Sequence, residues 1–265
     1  MSDERFLIPD DWIVPQWTAP AGVRAIFTAR SGGCSPAPWG AAPGRGDGMN
    51  LGFGSGDEAS RVRANRERLR QLVPAEPYWL RQVHGSTVVD ADDGVARDPA
   101  LPPEADASVA LGSGAVCVVM VADCMPVLLA DVAGRGVAAA HAGWRGLAGG
   151  VVQAAAARLR SRLADPQARL VAWLGPSIGP SRFEVGADVL DAMAARLPDA
   201  PAAFAPLRDG KYLADLPALA RQALAQAGVT DVSGGDWCTV SAPHRFFSYR
   251  RDGATGRHAA LIWRT

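Results

Sequence analysis

Between Ala115 and Arg145 the chain reads AVCVVMVADCMPVLLADVAGRGVAAAHAGWR, three apolar runs of strand length interrupted by Asp123-Cys124 and by one glycine-containing turn. Such runs are too short for membrane helices, and their β-branched and small residues read as buried strands. The first, Ala115 to Ala122, stops at a carboxylate and a thiol, as a strand does when it ends at a site. The second and third, Pro126 to Asp131 and Gly136 to His141, flank Ala133-Gly134-Arg135-Gly136, whose glycines admit the positive φ of a tight antiparallel connection. Pairing about that turn makes cross-strand residue numbers sum to about 268, which sets His141 opposite Val127 and Cys124 just past the end of the hairpin. A thiol and an imidazole are thereby expected at one end of one sheet. Past His141 the chain enters Trp144-Arg145-Gly146 and a helix expected over 146–163. Arg145 therefore falls near a helix N-terminus, where free N–H groups favour an anion.

The charges balance, with 27 Lys and Arg against 27 Asp and Glu, so no basic excess points to nucleic acid or an anionic membrane. The start, MSDERFLIPD, lacks the basic and apolar regions of a signal peptide, and a cytoplasmic protein is expected. Four cysteines, Cys34, Cys117, Cys124 and Cys238, form no C-x-x-C pair and read as free thiols. Along the chain, a strand over 23–29 precedes a glycine- and proline-rich passage from Arg30 to Asp57. A loop that long points to function or mobility, and it contains Arg30-Ser-Gly-Gly33 and Met49-Asn50-Leu51-Gly52, read with equal weight as turn chemistry or ligand contact. A helix over 57–73 carries Asn65 on its apolar stripe, where a polar group needs either a structural partner or a site, with Arg66 beside it. Later helices are expected over 188–196 and 216–227, and strands over 170–174 and 259–263. No linker or repeat divides residues 1–265, which read as one domain.

Tyr78 to Val83 reads as a further strand that delivers His84. His84, Cys124 and His141 then each close an apolar run. Imidazole and thiolate suit zinc, and three protein ligands with an open fourth position mark a catalytic rather than a structural centre. Asp123, beside Cys124, is the candidate for orienting a water at the metal, with a strand-end hydrogen bond as its bland alternative.

Taken together, Arg81-Gln-Val-His-Gly85, Ala122-Asp-Cys-Met-Pro126, His141-Ala-Gly-Trp-Arg-Gly146, Leu174-Gly-Pro-Ser-Ile-Gly-Pro180, Phe183-Glu-Val-Gly186 and Phe246-Phe-Ser-Tyr-Arg-Arg251 resemble the YfiH family. That family is also called the laccase-domain or polyphenol oxidase family, the purine nucleoside phosphorylase family and the peptidoglycan editing factors. The resemblance runs from about Val14 to the C-terminus. It implies an α+β fold, a single-domain layered αββα sandwich with mixed sheets. It also implies a metal site at His84, Cys124 and His141, which agrees with the reading of the residues themselves.

Chemistry ranks the activities that the resemblance implies. A multicopper oxidase needs a trinuclear cluster held by H-x-H pairs, and this chain has four histidines and no H-x-H, although copper remains possible as a single ion. Phosphorolysis of purine nucleosides, with adenosine deamination beside it, needs a polarising metal, a phosphate site and a pocket for a flat base. Cys124, His84, His141 and Asp123 are then the catalytic candidates, and Arg145, Asn65, Arg66, Asn50 and Arg30 the substrate-binding ones. Editing of a mis-loaded UDP-MurNAc precursor by amide hydrolysis is the alternative, through zinc or through Cys124 as nucleophile with His141 as base. A metal-ligated thiolate is a poor free nucleophile, which favours the zinc route. A purely structural zinc would leave a coordination position unfilled. The partners expected are a small-molecule substrate, no nucleic acid and no membrane, with the chain a monomer or weak homodimer.

Overall fold

The computed structural model describes residues 8–41, 46–92 and 101–265. Its core is two stacked sheets. One has three antiparallel strands in the order β1 (Val23–Phe27), β13 (His258–Arg264) and β5 (Val116–Val121). The other has six, in the order β12 (Asp231–Gly234), β8 (Leu170–Leu174), β6 (Met125–Asp131), β7 (Val137–Ala142), β4 (Ala107–Ala110) and β3 (Val88–Asp90). It is mixed, with β12/β8 and β3/β4 parallel and the remaining pairs antiparallel. A small third sheet joins β9 (Glu184–Gly186), β11 (Lys211–Ala214) and β10 (Phe204–Arg208).

The period-2 alternation of strand side chains explains why these strands are apolar on both faces. In β5, Val116 and Val118 turn outward with Ile26 and Leu261 toward α1 (Ala59–Arg70), where Leu69, Met49 and Leu51 cover them. Cys117, Val119 and Val121 turn inward against Phe27, Leu128, Ala139 and Ile262. Val127, Leu129, Ala138 and Ala140 form the far face of the larger sheet. They pack under α2 (Trp144–Gly149), α3 (Val151–Arg162), α4 (Ala187–Ala194) and α5 (Leu216–Gln226), through Leu147, Val152, Leu159, Val189 and Leu219. The layers are helix, sheet, sheet, helix, as the resemblance implied. Among the described residues no helix is long and apolar enough to cross a membrane.

Several local expectations need correction. The β6/β7 ladder pairs Pro126 with His141 and Val127 with Ala140, one step from the expected register. The connection is a four-residue loop, 132–135, closed by Asp131 N–H donating to Gly136 O (3.0 Å) and Gly134 N–H donating to Asp131 O (2.8 Å). The buried Asp131 carboxylate also takes Arg135 Nε at 2.7 Å, which fixes the loop length. The helix expected over 146–163 is two helices, because Gly150 adopts φ +88° and ends α2 in the left-handed region. Residues 78–83 form no strand. They run extended, with single bridges from Tyr78 to Cys117 and from Arg81 to Glu104. The long passage after Arg30 contains the short strand β2 (Ser31–Ser35) and a 3₁₀ turn at Phe53–Ser55.

His258 opens β13 in a cage of Phe27, Phe246 and Phe247, with ring centroids 4.9 to 5.8 Å away. Phe247 N–H donates to its Nε2 at 2.7 Å, so the neutral ring carries its proton on Nδ1. Burial in that cage holds its pKa down at about 3. The unfolded ring takes up a proton near the ordinary 6.5 and the folded ring refuses it, so folding loses stability as pH falls from 6.5 toward 3. The unfolding free energy from urea titrations is expected to drop across that window by up to about 1.4 kcal/mol per pH unit from this group. A His258→Gln variant, less stable at pH 8, should show a flatter profile; equal slopes in the two proteins would refute the assignment.

Candidate metal centre

The centre lies where the chain changes sheets. β5 belongs to the smaller sheet and β6 to the larger, and Ala122-Asp123-Cys124 carries the chain between them. The corner is sharp. Asp123 has φ +88°, a conformation that costs a non-glycine residue energy and persists only when its surroundings hold it. They do so from three sides. Thr239 Oγ1 donates to Asp123 Oδ1 at 2.5 Å, and the N–H of Arg250, in α6 (Tyr249–Asp252), donates to Oδ2 at 2.6 Å. Ile178 N–H donates to the Asp123 carbonyl at 2.9 Å. Cys124 follows, and the pairing of Met125 with Ala142 sets it next to the end of β7, where His141 lies. Gly143 is the residue that lets these groups approach: a Cβ there would stand 2.8 Å from Cys124 Sγ and 3.0 Å from His84 Cδ2.

His84 arrives from a loop and is held by Asp106, a residue the sequence reading missed. Asp106 is fully buried just before β4, and its carboxylate accepts the consecutive N–H groups of Val83 (3.1 Å), His84 (2.9 Å) and Gly85 (2.7 Å). That clamp supports His84 at φ +62°. The same carboxylate meets His141 Nδ1 at 2.8 Å, and the Asp106 carbonyl accepts His141 N–H at 2.7 Å. Desolvation would raise the carboxyl pKa, but the bonds from His141 and from these backbone groups more than offset it and hold Asp106 ionised. With Nδ1 bound to a carboxylate, His141 presents Nε2 to the site. The only trace of Asp106 in the sequence is a lone carboxylate opening an otherwise apolar strand.

The ligand atoms of His84, Cys124 and His141 lie within 4.8 Å of one another, and Cys124 Sγ is 3.8 Å from His84 Nε2. Metal bonds of about 2.0–2.3 Å in a tetrahedron put ligands roughly 3.3–3.7 Å apart, so the group is close to the spacing that one ion requires. Burial would push the Cys124 thiol up, but the imidazoles of His141 and His84 outweigh it and bring its pKa below the ordinary thiol value. Burial would lower the pKa of His141, and Cys124 together with Asp106 raises it instead. The lowered thiol pKa favours the thiolate, which is the form that binds a metal, and the proton that Cys124 and Asp106 favour on His141 must leave when that ring ligates an ion. His84 is exposed and His141 buried, so the centre opens to solvent on the His84 side. The residues fit a single metal ion with an accessible face.

The other candidates separate into two groups. Asn65 and Asn50 are fully buried and saturated, so they are not substrate contacts as expected. Asn65 accepts from Cys34 N–H and donates to Ser35 Oγ and to the Gly48 and Asn50 carbonyls. Asn50 donates to Ser55 and Asp57 and accepts from the N–H groups of Gly52 and Arg257. Arg30 is likewise a clasp, donating to the carbonyls of Gly40, Pro38 and Pro243 and lying over Phe247. Asp123 spends both carboxylate oxygens on the corner itself, so the strand-end hydrogen bond describes it and the water-orienting role does not. Arg66 lies between the rings of Trp79 (3.6 Å) and Phe53 (4.5 Å), and burial lowers its pKa to about 10. Arg145 is exposed in α2 with its guanidinium over the Trp144 ring at 4.4 Å. Neither arginine has a carboxylate at ion-pair distance among the described residues.

Fold and site together define a layered sandwich with a half-open His–Cys–His centre at the switch between its sheets. Residues 24–265 match the family model described as multi-copper polyphenol oxidoreductase laccase, and the chain belongs to that family. It is 47% identical over 253 residues to a Pseudomonas aeruginosa protein named purine nucleoside phosphorylase, covering 95% of this chain and 98% of that one. The Escherichia coli purine nucleoside phosphorylase YfiH shows the same identity and coverage. Among solved structures, a Neisseria meningitidis protein superposes with a TM-score of 0.86 at 46% identity over 96% of this chain and 99% of its own. YlmD from Geobacillus stearothermophilus gives 0.82 at 32% identity, covering 92% of each chain.

Two expectations test the centre. Cys124→Ala and His141→Ala should each lose bound metal outright, as measured on the purified proteins. Asp106→Asn keeps the shape but weakens the support of His141 and of the 83–85 backbone, and chelator competition should show metal affinity about 10–100-fold lower. Wild-type affinity in the Asp106 variant would remove that residue from the centre.

Proposed function

We propose that this chain is a purine nucleoside phosphorylase that holds one zinc ion through His84, Cys124 and His141, with copper the alternative occupant. The observation that carries the reading is a solvent-open metal site of two imidazoles and a thiolate, in a chain 47% identical along nearly its whole length to proteins named purine nucleoside phosphorylase. In the reaction an oxygen of phosphate bonds to the ribose C1′ as the bond from C1′ to the purine nitrogen breaks. The departing base carries the electron pair and takes up a proton. A bound zinc ion supplies Lewis acidity at that developing negative charge.

The chain's own residues prepare the site. Asp106 fixes the tautomer of His141 and the backbone beneath His84, so two ligands are set by one buried carboxylate. Asp123 holds the corner that aims Cys124. Arg145, in the first turn of α2, offers a guanidinium with no carboxylate at ion-pair distance among the described residues, and it can present two N–H groups to phosphate. The accessible metal face also admits adenosine deamination as a companion activity. The active protein is taken to be cytoplasmic, a monomer or weak homodimer.

A second reading is favoured by the depressed thiol pKa of Cys124 beside His141, which also fits amide hydrolysis of a mis-loaded UDP-MurNAc precursor. Laccase chemistry is ranked last, because His244 and His258 join no second group of three ligand-type side chains among the described residues.

Inosine should be consumed in the presence of phosphate, yielding hypoxanthine and ribose 1-phosphate, and should persist without it; chromatography of both products checks this. No oxygen uptake should accompany phenols. If UDP-MurNAc-L-Ser is hydrolysed orders of magnitude faster than any nucleoside turns over, editing replaces phosphorolysis as the main activity.

A further inference from the structure

Met49-Asn50-Leu51-Gly52 has no role in the centre described above, yet Asn50, Leu51 and Gly52 all meet one residue, Arg257. Asn50 Oδ1 accepts the Arg257 N–H at 3.0 Å, and Leu51 N–H donates to the Arg257 carbonyl at 3.1 Å. Gly52 is small because a Cβ there would stand 2.5 Å from Arg257 Cγ. The segment thus cradles the backbone of Arg257 and leaves room for the base of its side chain. Asn65 in turn holds the Asn50 carbonyl, so the cradle is anchored to α1.

The cradled arginine stands beside the metal centre. β13 pairs His258 with Val121, and continuing that register sets Arg257 level with Ala122, next to Asp123-Cys124. The exposed ring of Tyr249 lies 5.9 Å from its guanidinium carbon, and Tyr249 adjoins Arg250, whose N–H grips Asp123. One guanidinium nitrogen of Arg257 donates to the carbonyls of Thr255 and Gly256, both at 3.0 Å. Its other nitrogens have no hydrogen-bond partner, and no carboxylate lies at ion-pair distance, among the described residues. Burial pulls its pKa down, and the charges of Cys124 and Asp123 act to hold it up. A half-buried guanidinium kept without a carboxylate, in a socket built for it, is arranged for an anion that arrives from outside. The charge balance agrees: a divalent metal on one thiolate and two neutral imidazoles carries net positive charge, and a cation beside it favours an anionic ligand there.

We infer that Arg257 forms an oxyanion subsite next to the His84/Cys124/His141 centre, cradled by residues 50–52, that receives phosphate or the phosphate group of a larger substrate. The choice of phosphate rests on the phosphorolysis reading; the subsite itself does not.

The test is calorimetric titration of zinc-loaded protein with inorganic phosphate, and in a second arm with uridine diphosphate. Arg257→Met keeps the apolar stem and removes the charge, and it should weaken binding at least tenfold. Arg257→Lys should retain part of the affinity. Since the Met variant could misfold, phenylglyoxal labelling of the wild-type protein gives an independent readout. Phosphate should protect Arg257, but not the exposed Arg208, from modification. Binding of both ligands by Arg257→Met within twofold of wild type, or labelling of Arg257 unaffected by either ligand, overturns the inference. Phosphate binding through Arg257 without nucleoside cleavage would leave the subsite standing and change the reaction. Cleavage with an unaltered KM for phosphate in Arg257→Met would do the reverse.

Discussion

A single buried carboxylate organises the site. Asp106 accepts three consecutive backbone N–H groups and meets the ring of His141, so the loop bearing His84 and the strand bearing His141 are tied to the same two oxygens. An ionised carboxylate without such partners could not be buried fully, and with them it is held charged. The dependence is mutual. The positive φ of His84 is tolerated because the clamp exists, and the clamp exists because the loop turns that way.

The second constraint is the crossing between sheets. A two-sheet sandwich needs the chain to leave one sheet and enter the other, and here the crossing is three residues long, Ala122-Asp123-Cys124. So short a passage requires the left-handed backbone at Asp123, and Thr239, Arg250 and Ile178 stabilise it from distant parts of the chain. Cys124 is thereby aimed with little freedom. The apolar β5 and β6 on either side are locked by packing on both faces, which makes the corner rigid.

The family's description speaks of several coppers, whereas the described residues bring together one group of three ligand-type side chains. Cys117 is sealed in the core, where burial drives its thiol pKa up to about 12, so it cannot readily act as a thiolate. His258 is sealed likewise among phenylalanines. These two ligand-type side chains thus serve the fold.

The sequence by itself determined the strands 115–122, 126–131 and 136–141, closely placed, and the identity of His84, Cys124 and His141. Apolar periodicity reports burial directly, and ligand chemistry belongs to residue types. It also showed that Asn65 needed a partner, though not which one. Only the tertiary structure decided the partners of Asn65, the role of Asp106 and the place of Arg257. Asp106 lies 35 residues from His141, and Arg257 lies 207 from Asn50, so neither contact leaves a local pattern in the chain. The one-step error in the β6/β7 register has the same origin. Turn residues permit more than one loop length, and the bond that Arg135 donates to the buried Asp131 carboxylate selects among them.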